Sequence, residues 1–362
     1  LEIMENINLV KHSYKEDCIF LLKDLTDKIK EITIEEKEKL IRSGVNYSEI
    51  ISKESIPSED IKNIFLNILN RDKKVIAYYV AKIAEIIYRK KGNELVIVSL
   101  ARAGTPYGIL IKRYLKFKYK VDIPHYSISI IRGKGIDNNA LKYILSQHKE
   151  SNIQFVDGWT GKGSITKELN KSIDIFNNEN KTNIDSSLAV ISDPAKLCKV
   201  CGTREDFGIA TCCLNSTVSG LISRTIHNER YISKDDFHGA KTLNYLRDED
   251  YSQYFIDEIS SEFKNISIGY EDLTLEIEDK EYSMKVVNKI RELYDVNNIN
   301  NIKLSVGESA RVLLRRDPRV VLVKNKNDKN VEHILKLAEE KGVKVIEYKD
   351  SDYNCISIIN EK

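Results

Sequence analysis

The sequence is short of net charge: 57 lysines and arginines stand against 55 aspartates and glutamates, a formal balance of +2 over 362 residues. Global attraction to nucleic acid or to an acidic surface is therefore excluded, and any such face must be local. Long apolar runs are missing too. Leu95 to Leu100 is far shorter than the roughly 20 residues that a membrane-spanning helix needs. No secretory pattern opens the chain: Leu1 to Met4 reads as a scar ahead of the native start, the residues after Met4 are polar, and a cytoplasmic location is expected. The six cysteines, Cys18, Cys198, Cys201, Cys212, Cys213 and Cys355, are too scattered for a disulfide framework in a chain of this size. Cys198-x-x-Cys201 followed by Cys212-Cys213 has a zinc-like look, but the gap from Gly202 to Thr211 is short and adjacent cysteines suit a tetrahedral site poorly. Reduced, unliganded thiols are expected.

What is present is length enough for two or three domains and a change of grammar along the chain. Residues 1–90 read as a helical N-terminal extension. Ser13 to Lys30 carries Leu21, Leu22 and Leu25 on an apolar side, and Ile61, Ile64, Phe65, Ile68 and Leu69 follow helical spacing behind Ser58 as N-cap. From residue 91 to 245 strands and helices alternate: Leu95 to Leu100, then a helix from Thr105, a strand Ile123 to Ile131, a helix around Leu141 to His148, a strand Asn152 to Val156, a helix with Ile165, Leu169, Ile173 and Phe176, and a strand Ser187 to Ile191. That order predicts an α/β domain with a parallel sheet, ligands lying beyond the carboxyl ends of its strands. Residues 246–301 form a helical connector ending in an asparagine-rich linker. Residues 302–362 repeat a compact α/β/α pattern.

Phe155 to Thr166 joins a buried strand to a helix through a loop suited to phosphate. Gly161 and Gly163 permit close backbone approach, Ser164 offers a hydroxyl, and the helix N-terminus favours an anion. A Walker A loop is excluded, because the position five before Gly161 is Val156 rather than glycine. The stretch resembles the phosphoribosyl-pyrophosphate loop of type I phosphoribosyltransferases, with Gly158 where that family usually has a second acid. Upstream, Ala101, Arg102, Ala103 and Gly104 before Pro106 resemble the pyrophosphate loop of the same enzymes. Arg132-Gly133-Lys134-Gly135 falls where they carry a mobile closing loop.

The resemblance implies a type I phosphoribosyltransferase-like sheet and displacement of pyrophosphate from phosphoribosyl pyrophosphate by a nucleobase-like acceptor. Asp157 would hold the ribose and, indirectly, Mg²⁺; Arg132 and Lys134 would act on the leaving group; Thr160, Gly161, Lys162, Gly163 and Ser164 would bind the 5′-phosphate, with Gly158 and Trp159 also among the residues binding phosphoribosyl pyrophosphate. On the acceptor side stand Asp193, Asn215, Ser216, His238 and Lys241. Asn215 to Thr217 before Val218, Leu221 and Ile222 predict a capped helix entry.

A more specific resemblance rests on Ala189-Val-Ile-Ser-Asp-Pro-Ala195, Gly202-Thr-Arg-Glu-Asp-Phe207, Cys213-Leu-Asn-Ser-Thr-Val-Ser-Gly-Leu221 and Asp235-Asp-Phe-His-Gly-Ala-Lys241. These look like the bacterial StiP family of tellurite-resistance and stress operons, labelled both phosphoribosyltransferase and cysteine protease. The second label makes Cys213 an alternative nucleophile, with His227 or His238 as its base and Asn215, Asp235 or Asp236 as orienter. A third reading is a nucleotide-sensing RNA binder without turnover. Near the C-terminus, Ser305-Val-Gly-Glu-Ser-Ala-Arg311 resembles the helix start of Pelota-type RNA-binding domains. Glu308, Arg311, Arg315 and Arg316 are then implied RNA contacts, with structured RNA and a second copy of the chain as further partners.

Overall fold

A computed structural model describes residues 8–360 apart from 16, 34, 35, 38, 41, 42 and 46; Leu1 to Met4 lie outside the described residues. The chain begins with two short strands, β1 (Ile19–Phe20) and β2 (Lys23–Asp24), and continues through a long helix, α1 (Glu59–Lys91). The helix predicted from Ser13 to Lys30 does not form. Leu21, Leu22 and Leu25 each enter a different hydrophobic cluster, which an extended chain allows and one helical face does not. The extension before residue 58 is thus mostly strand and loop in its described parts, with helical turn at residues 36, 37, 39 and 40 and a 3-10 turn at Tyr47–Glu49, and its long helix is α1. There Ser58 accepts from the Ile61 N–H, Glu59 and Asp60 face the positive end of the dipole and Arg89, Lys90 and Lys91 the negative end. Ala77, Ala81 and Ala84 are fully buried, so α1 can lie close against its neighbours.

The body follows as β3 (Val96–Ala101), α2 (Thr105–Tyr119), β4 (His125–Ile131), β5 (Gly135–Ile136), α3 (Asn138–Gln147), β6 (Ile153–Trp159), α4 (Ser164–Asn180), β7 (Leu188–Ser192) and β8 (Val200–Thr203). The sheet order is β1-β4-β3-β6-β7-β8, parallel throughout, with β5 turned back antiparallel on β4. The predicted mostly parallel α/β sheet is therefore present. Its strands are buried along nearly their whole length, as a sheet covered on both faces requires. The predicted helix entry at Asn215 is only a single 3-10 turn, Ser216–Val218. Gly220 at φ +75° and Leu221 at φ +60° divert the chain before a second turn forms.

After β9 (Gly239–Ala240), which pairs with β2, come α5 (Ser252–Ser260) and α6 (Tyr282–Leu293). The C-terminal unit continues with β10 (Ile302–Leu304), α7 (Val306–Arg315), β11 (Pro318–Val323), α8 (Glu332–Glu340), β12 (Val345–Glu347) and β13 (Cys355–Ile359), in the sheet order β10-β13-β11-β12. Val286, Val287 and Ile290 of α6 pack with Ile302, Leu304, Leu322 and Ile358, so α6 belongs with this unit's core. On the other face, Val306, Ala310 and Leu313 of α7 and Ile334 and Leu337 of α8 join the cluster that contains Ile76, Val80 and Phe207 of the body. The two units therefore share a hydrophobic core. Among the described residues, no helix is long and apolar enough to cross a membrane.

Candidate active site beneath a cationic cleft

Beyond the carboxyl ends of β3 and β6, Arg102, Ala103, Pro106 and Trp159 meet Thr211, Leu214, Asn215, Val218 and Ser219, and Arg311 of α7 closes the ring around a small cleft of about 20 Å³. Backbone approach sets this rim: a Cβ on Gly104 would lie 2.6 Å from the Val156 carbonyl oxygen, so the turn from β3 into α2 can nest against β6 only as glycine. The Tyr107 and Thr211 hydroxyls, 2.7 Å apart, pin the 211 segment to α2. Arg102 donates to Glu54 Oε1 at 2.6 Å and to the Ile222 carbonyl at 2.8 Å, while Glu54 Oε2 accepts from the Ser216 hydroxyl at 2.6 Å. Burial opposes the charge on Glu54, but Arg102 and Ser216 together hold its carboxyl below the usual range. Arg311 lies over the Trp159 ring at 4.6 Å and takes one contact from Glu308, Nη1 to Oε1, at 3.1 Å.

Thr211 and Leu214, both in the cavity wall, bracket the two adjacent cysteines. A 3-10 turn, Ala210–Cys212, orients them: the Cys212 N–H goes to the Ile209 carbonyl at 2.9 Å and the Cys213 N–H to that of Ala210 at 3.1 Å. Their sulfurs are 3.9 Å apart. The two thiols differ in acidity. Contact with Cys213 outweighs the penalty of burial at Cys212, and His333 adds to it, so the Cys212 thiol is pulled down. Cys213 is pushed up, by Cys212 and by burial. His333 comes from α8 and is buried, and neither of its ring nitrogens has a hydrogen-bond partner. A Cβ on Gly208 would fall 2.6 Å from the His333 Cε1, so glycine there makes room for the ring. An acidified thiol beside an imidazole is the arrangement that produces a sulfur nucleophile near neutral pH.

Arg102, Ala103, Trp159, Asn215 and Arg311 meet at this cleft, and Asp157 lies within electrostatic reach of Arg311. Burial pushes the Asp157 carboxyl up to about 7, with the Gly158 N–H donating to it at 2.8 Å. Ser216 is spent on Glu54. Asp193 is buried and accepts from Thr160 Oγ1 at 2.6 Å, the Cys198 N–H at 2.7 Å and Arg204, so it braces loops. His238 pairs through Nδ1 with Ser129 Oγ at 2.9 Å and its ring lies 4.9 Å from that of His227; Lys241 bonds the Ile29 carbonyl and Glu31. The charged neighbours of Cys213 are Cys212 and Arg315, and His227 and His238 are engaged with each other. Arg132 donates to Asn300 Oδ1 at 2.7 Å from the hairpin of β4 and β5, and Lys134 and Arg316 are exposed.

Cys212, His333 and Glu54 were missed by sequence reasoning. The adjacent cysteines were visible, but which of the two is acidic depends on the direction of one S–H contact. His333 lies in the other unit, and no local pattern joins it to residue 212; only the scarcity of histidine, six in the chain, could have drawn attention to it.

A thiol and an imidazole beside a small cleft at a sheet rim define the class of proteins built for thiol chemistry. The comparisons give the particular family. A family described as "Tellurite-like stress resistance cysteine protease StiP" matches residues 12–260, and one described as "PELOTA RNA binding domain" matches residues 281–361. The "Cysteine protease StiP" of Acinetobacter baylyi is 32% identical over 360 residues, covering 96% of this chain and 93% of that protein. The chain belongs to the StiP family, with a C-terminal Pelota-type unit.

These findings overturn the expectation of a phosphoribosyltransferase that binds phosphoribosyl pyrophosphate: family and relative carry a cysteine protease name, and neither names phosphoribosyl transfer. The supposed phosphate loop has another use. Lys162 Nζ is spent on the Ile299 carbonyl at 2.7 Å, Tyr353 donates to the Gly161 carbonyl at 2.8 Å, and Ser283 donates to that of Lys162 at 3.2 Å. A Cβ on Gly161 would meet Glu308 Cγ and the Leu304 carbonyl oxygen, each at 3.1 Å, and Gly163, at φ +81°, is pressed by Leu197. The glycines serve the docking of the C-terminal unit.

Proposed function

We propose that this chain is a cysteine peptidase whose nucleophile is Cys212 and whose base is His333. The observation that carries the reading is the Cys212 thiol set beside Cys213 and the buried imidazole of His333, whose ring nitrogens have no other hydrogen-bond partner, the two together pulling that thiol down; the name of the Acinetobacter relative supports it. His333 takes the thiol proton. The sulfur attacks the substrate carbonyl carbon, a C–S bond forms, and the amide C–N bond breaks as His333 gives its proton to the departing amine. Water then attacks the thioester, delivering a proton to His333 and releasing the carboxylic acid and the Cys212 thiolate. The N–H groups of both cysteines are committed to the Ile209 and Ala210 carbonyls, so the developing oxyanion falls to side-chain donors, for which Asn215 and Arg311 line the cleft.

Cys212 is fully buried with the two units closed, and α7 and α8 are what cover it. Peptide entry therefore involves displacement of the C-terminal unit. The test is hydrolysis of a peptide library by the full chain and by Cys212→Ala, Cys213→Ala and His333→Gln. Cleavage lost in Cys212→Ala and His333→Gln but retained at a reduced rate in Cys213→Ala supports the assignment. Undiminished cleavage by Cys212→Ala would sink it.

A further inference from the structure

The cleft above the thiols holds more cationic capacity than its own carboxylates consume. Arg102, Arg311 and Arg315 stand within electrostatic reach of one another, with Glu54 and Glu308 as the acids among them. Arg102 is tied through Nη1 to both Glu54 and the Ile222 carbonyl. Arg311 is held flat by Trp159 and touched by Glu308 only at Nη1, while its Nε is buried with no hydrogen-bond partner. Arg315, one helical turn further along α7, is exposed and has no hydrogen-bond or ion-pair partner among the described residues. Three guanidinium groups face two glutamates and Asp157, whose carboxyl burial pushes up to about 7, so the excess is one positive charge with Asp157 protonated, and Arg315 is also the cation that acts on Cys213. Pro106, Leu214 and Val218 supply apolar walls.

We infer that this pocket is a specificity site for a peptide carboxylate, which Arg311 Nε and the Arg315 guanidinium grip next to the reacting thiol. A single surplus charge and a two-pronged donor set match a planar monoanion; a phosphate dianion would be repelled more strongly by Glu54 and Glu308, which stand among the same charges. The void of about 20 Å³ takes the carboxylate group itself between apolar walls, the rest of the side chain or chain end lying outside it. The carboxylate has two sources, an internal aspartate or glutamate side chain or the free C-terminus of the peptide. The inference rests on the peptidase reading for the identity of the ligand, but binding can be measured without turnover.

Trp159 makes that measurement direct, since it is the sole tryptophan of the chain and forms a wall of the pocket under Arg311. Its fluorescence is to be followed in the full-length protein during titration with four acetylated tripeptides: an internal glutamate with an amidated end, glutamine with a free carboxyl end, glutamate with a free end, and glutamine with an amidated end. Inorganic phosphate and a short single-stranded RNA are run in parallel. Saturable changes are expected for the first peptide, the second or both, which identifies the source, with no saturation for the neutral peptide. Arg311→Gln and Arg315→Gln should each weaken the response at least tenfold while melting normally; Arg315→Gln, whose side chain is exposed and unpaired, guards against a folding artefact. Equal response to the neutral peptide, a stronger response to phosphate or RNA, or full binding by both variants would overturn the inference. Carboxylate binding without hydrolysis would count against the peptidase reading alone, and hydrolysis without charge preference against the pocket alone.

Discussion

The carboxylate of Asp206, in the body, accepts the backbone N–H of Val306 at the start of α7 at 2.9 Å through Oδ1, and through Oδ2 those of Asn354 at 2.9 Å and Cys355 at 3.3 Å. The Asn354 side chain donates back to the Asp206 carbonyl at 2.6 Å. One buried residue of the body thus holds the first turn of a helix and the start of β13 in the other unit. Asp206→Ala strands these donors and should cost about 2 to 3 kcal/mol. Hydrogen exchange is expected to rise across residues 281–360, and iodoacetamide should label Cys212 faster, as located by mass spectrometry. Unchanged labelling would show that the C-terminal unit does not gate the thiol.

Stability should also respond to pH through two buried carboxyls. Burial pushes Asp206 and Asp157 each up to about 7. A carboxyl whose folded pKa lies above its unfolded value, about 4 for aspartate, takes up a proton on folding. Its contribution is complete below about pH 4 and is lost as pH rises through 7. The melting temperature is expected to fall from about pH 4 to about pH 7, and an Asp157→Asn, Asp206→Asn double variant to show a flatter profile. Parallel profiles would assign the slope to other groups.

The acidity of Cys212 depends first on contact with Cys213 and then on His333. Cys213→Ala is therefore expected to move the pH midpoint of Cys212 alkylation upward by roughly one unit or more, and His333→Gln to move it in the same direction. Ellman titration or mass spectrometry across a pH series reads both. A midpoint unmoved by either change would mean that the thiol gains nothing from its neighbours.

Gly307 sits in the first turn of α7, where a Cβ would lie 2.8 Å from Trp159 Nε1. Gly307→Ala cannot be accommodated without moving the indole and the Arg311 guanidinium stacked on it. Destabilisation by about 1 to 3 kcal/mol is expected, with a shifted tryptophan emission maximum. An unshifted emission maximum would show that the stack yields elsewhere.

The alternation of strand and helix from Leu95 to Ile191 was legible because covered parallel strands leave continuous apolar runs and their helices an unbroken 3.6-residue rhythm. Ser13 to Lys30 misled because closely spaced leucines satisfy a helix pattern, while here successive leucines fill separate cores. The glycines of the loop from Asp157 to Ser164 are places of close backbone approach, as their sequence suggests. What approaches them is the chain itself, Glu308, Leu304 and Leu197, and no local pattern distinguishes that from an anion. Arg102 and Trp159 were legible because they sit on a rim that the sheet order predicts. Cys212 and His333 were not, since their pairing is made by the docking of two units whose contact surface leaves no periodicity in either.

That docking has a consequence in time. Synthesis delivers the sheet and the dithiol turn long before α7 and α8 leave the ribosome, so the nascent body holds its cysteines without the imidazole of His333 and without the guanidinium groups of Arg311 and Arg315. On the peptidase reading, reactivity belongs to the finished chain, and a product that stops short of α8 carries the sulfur of the site without the imidazole that would activate it.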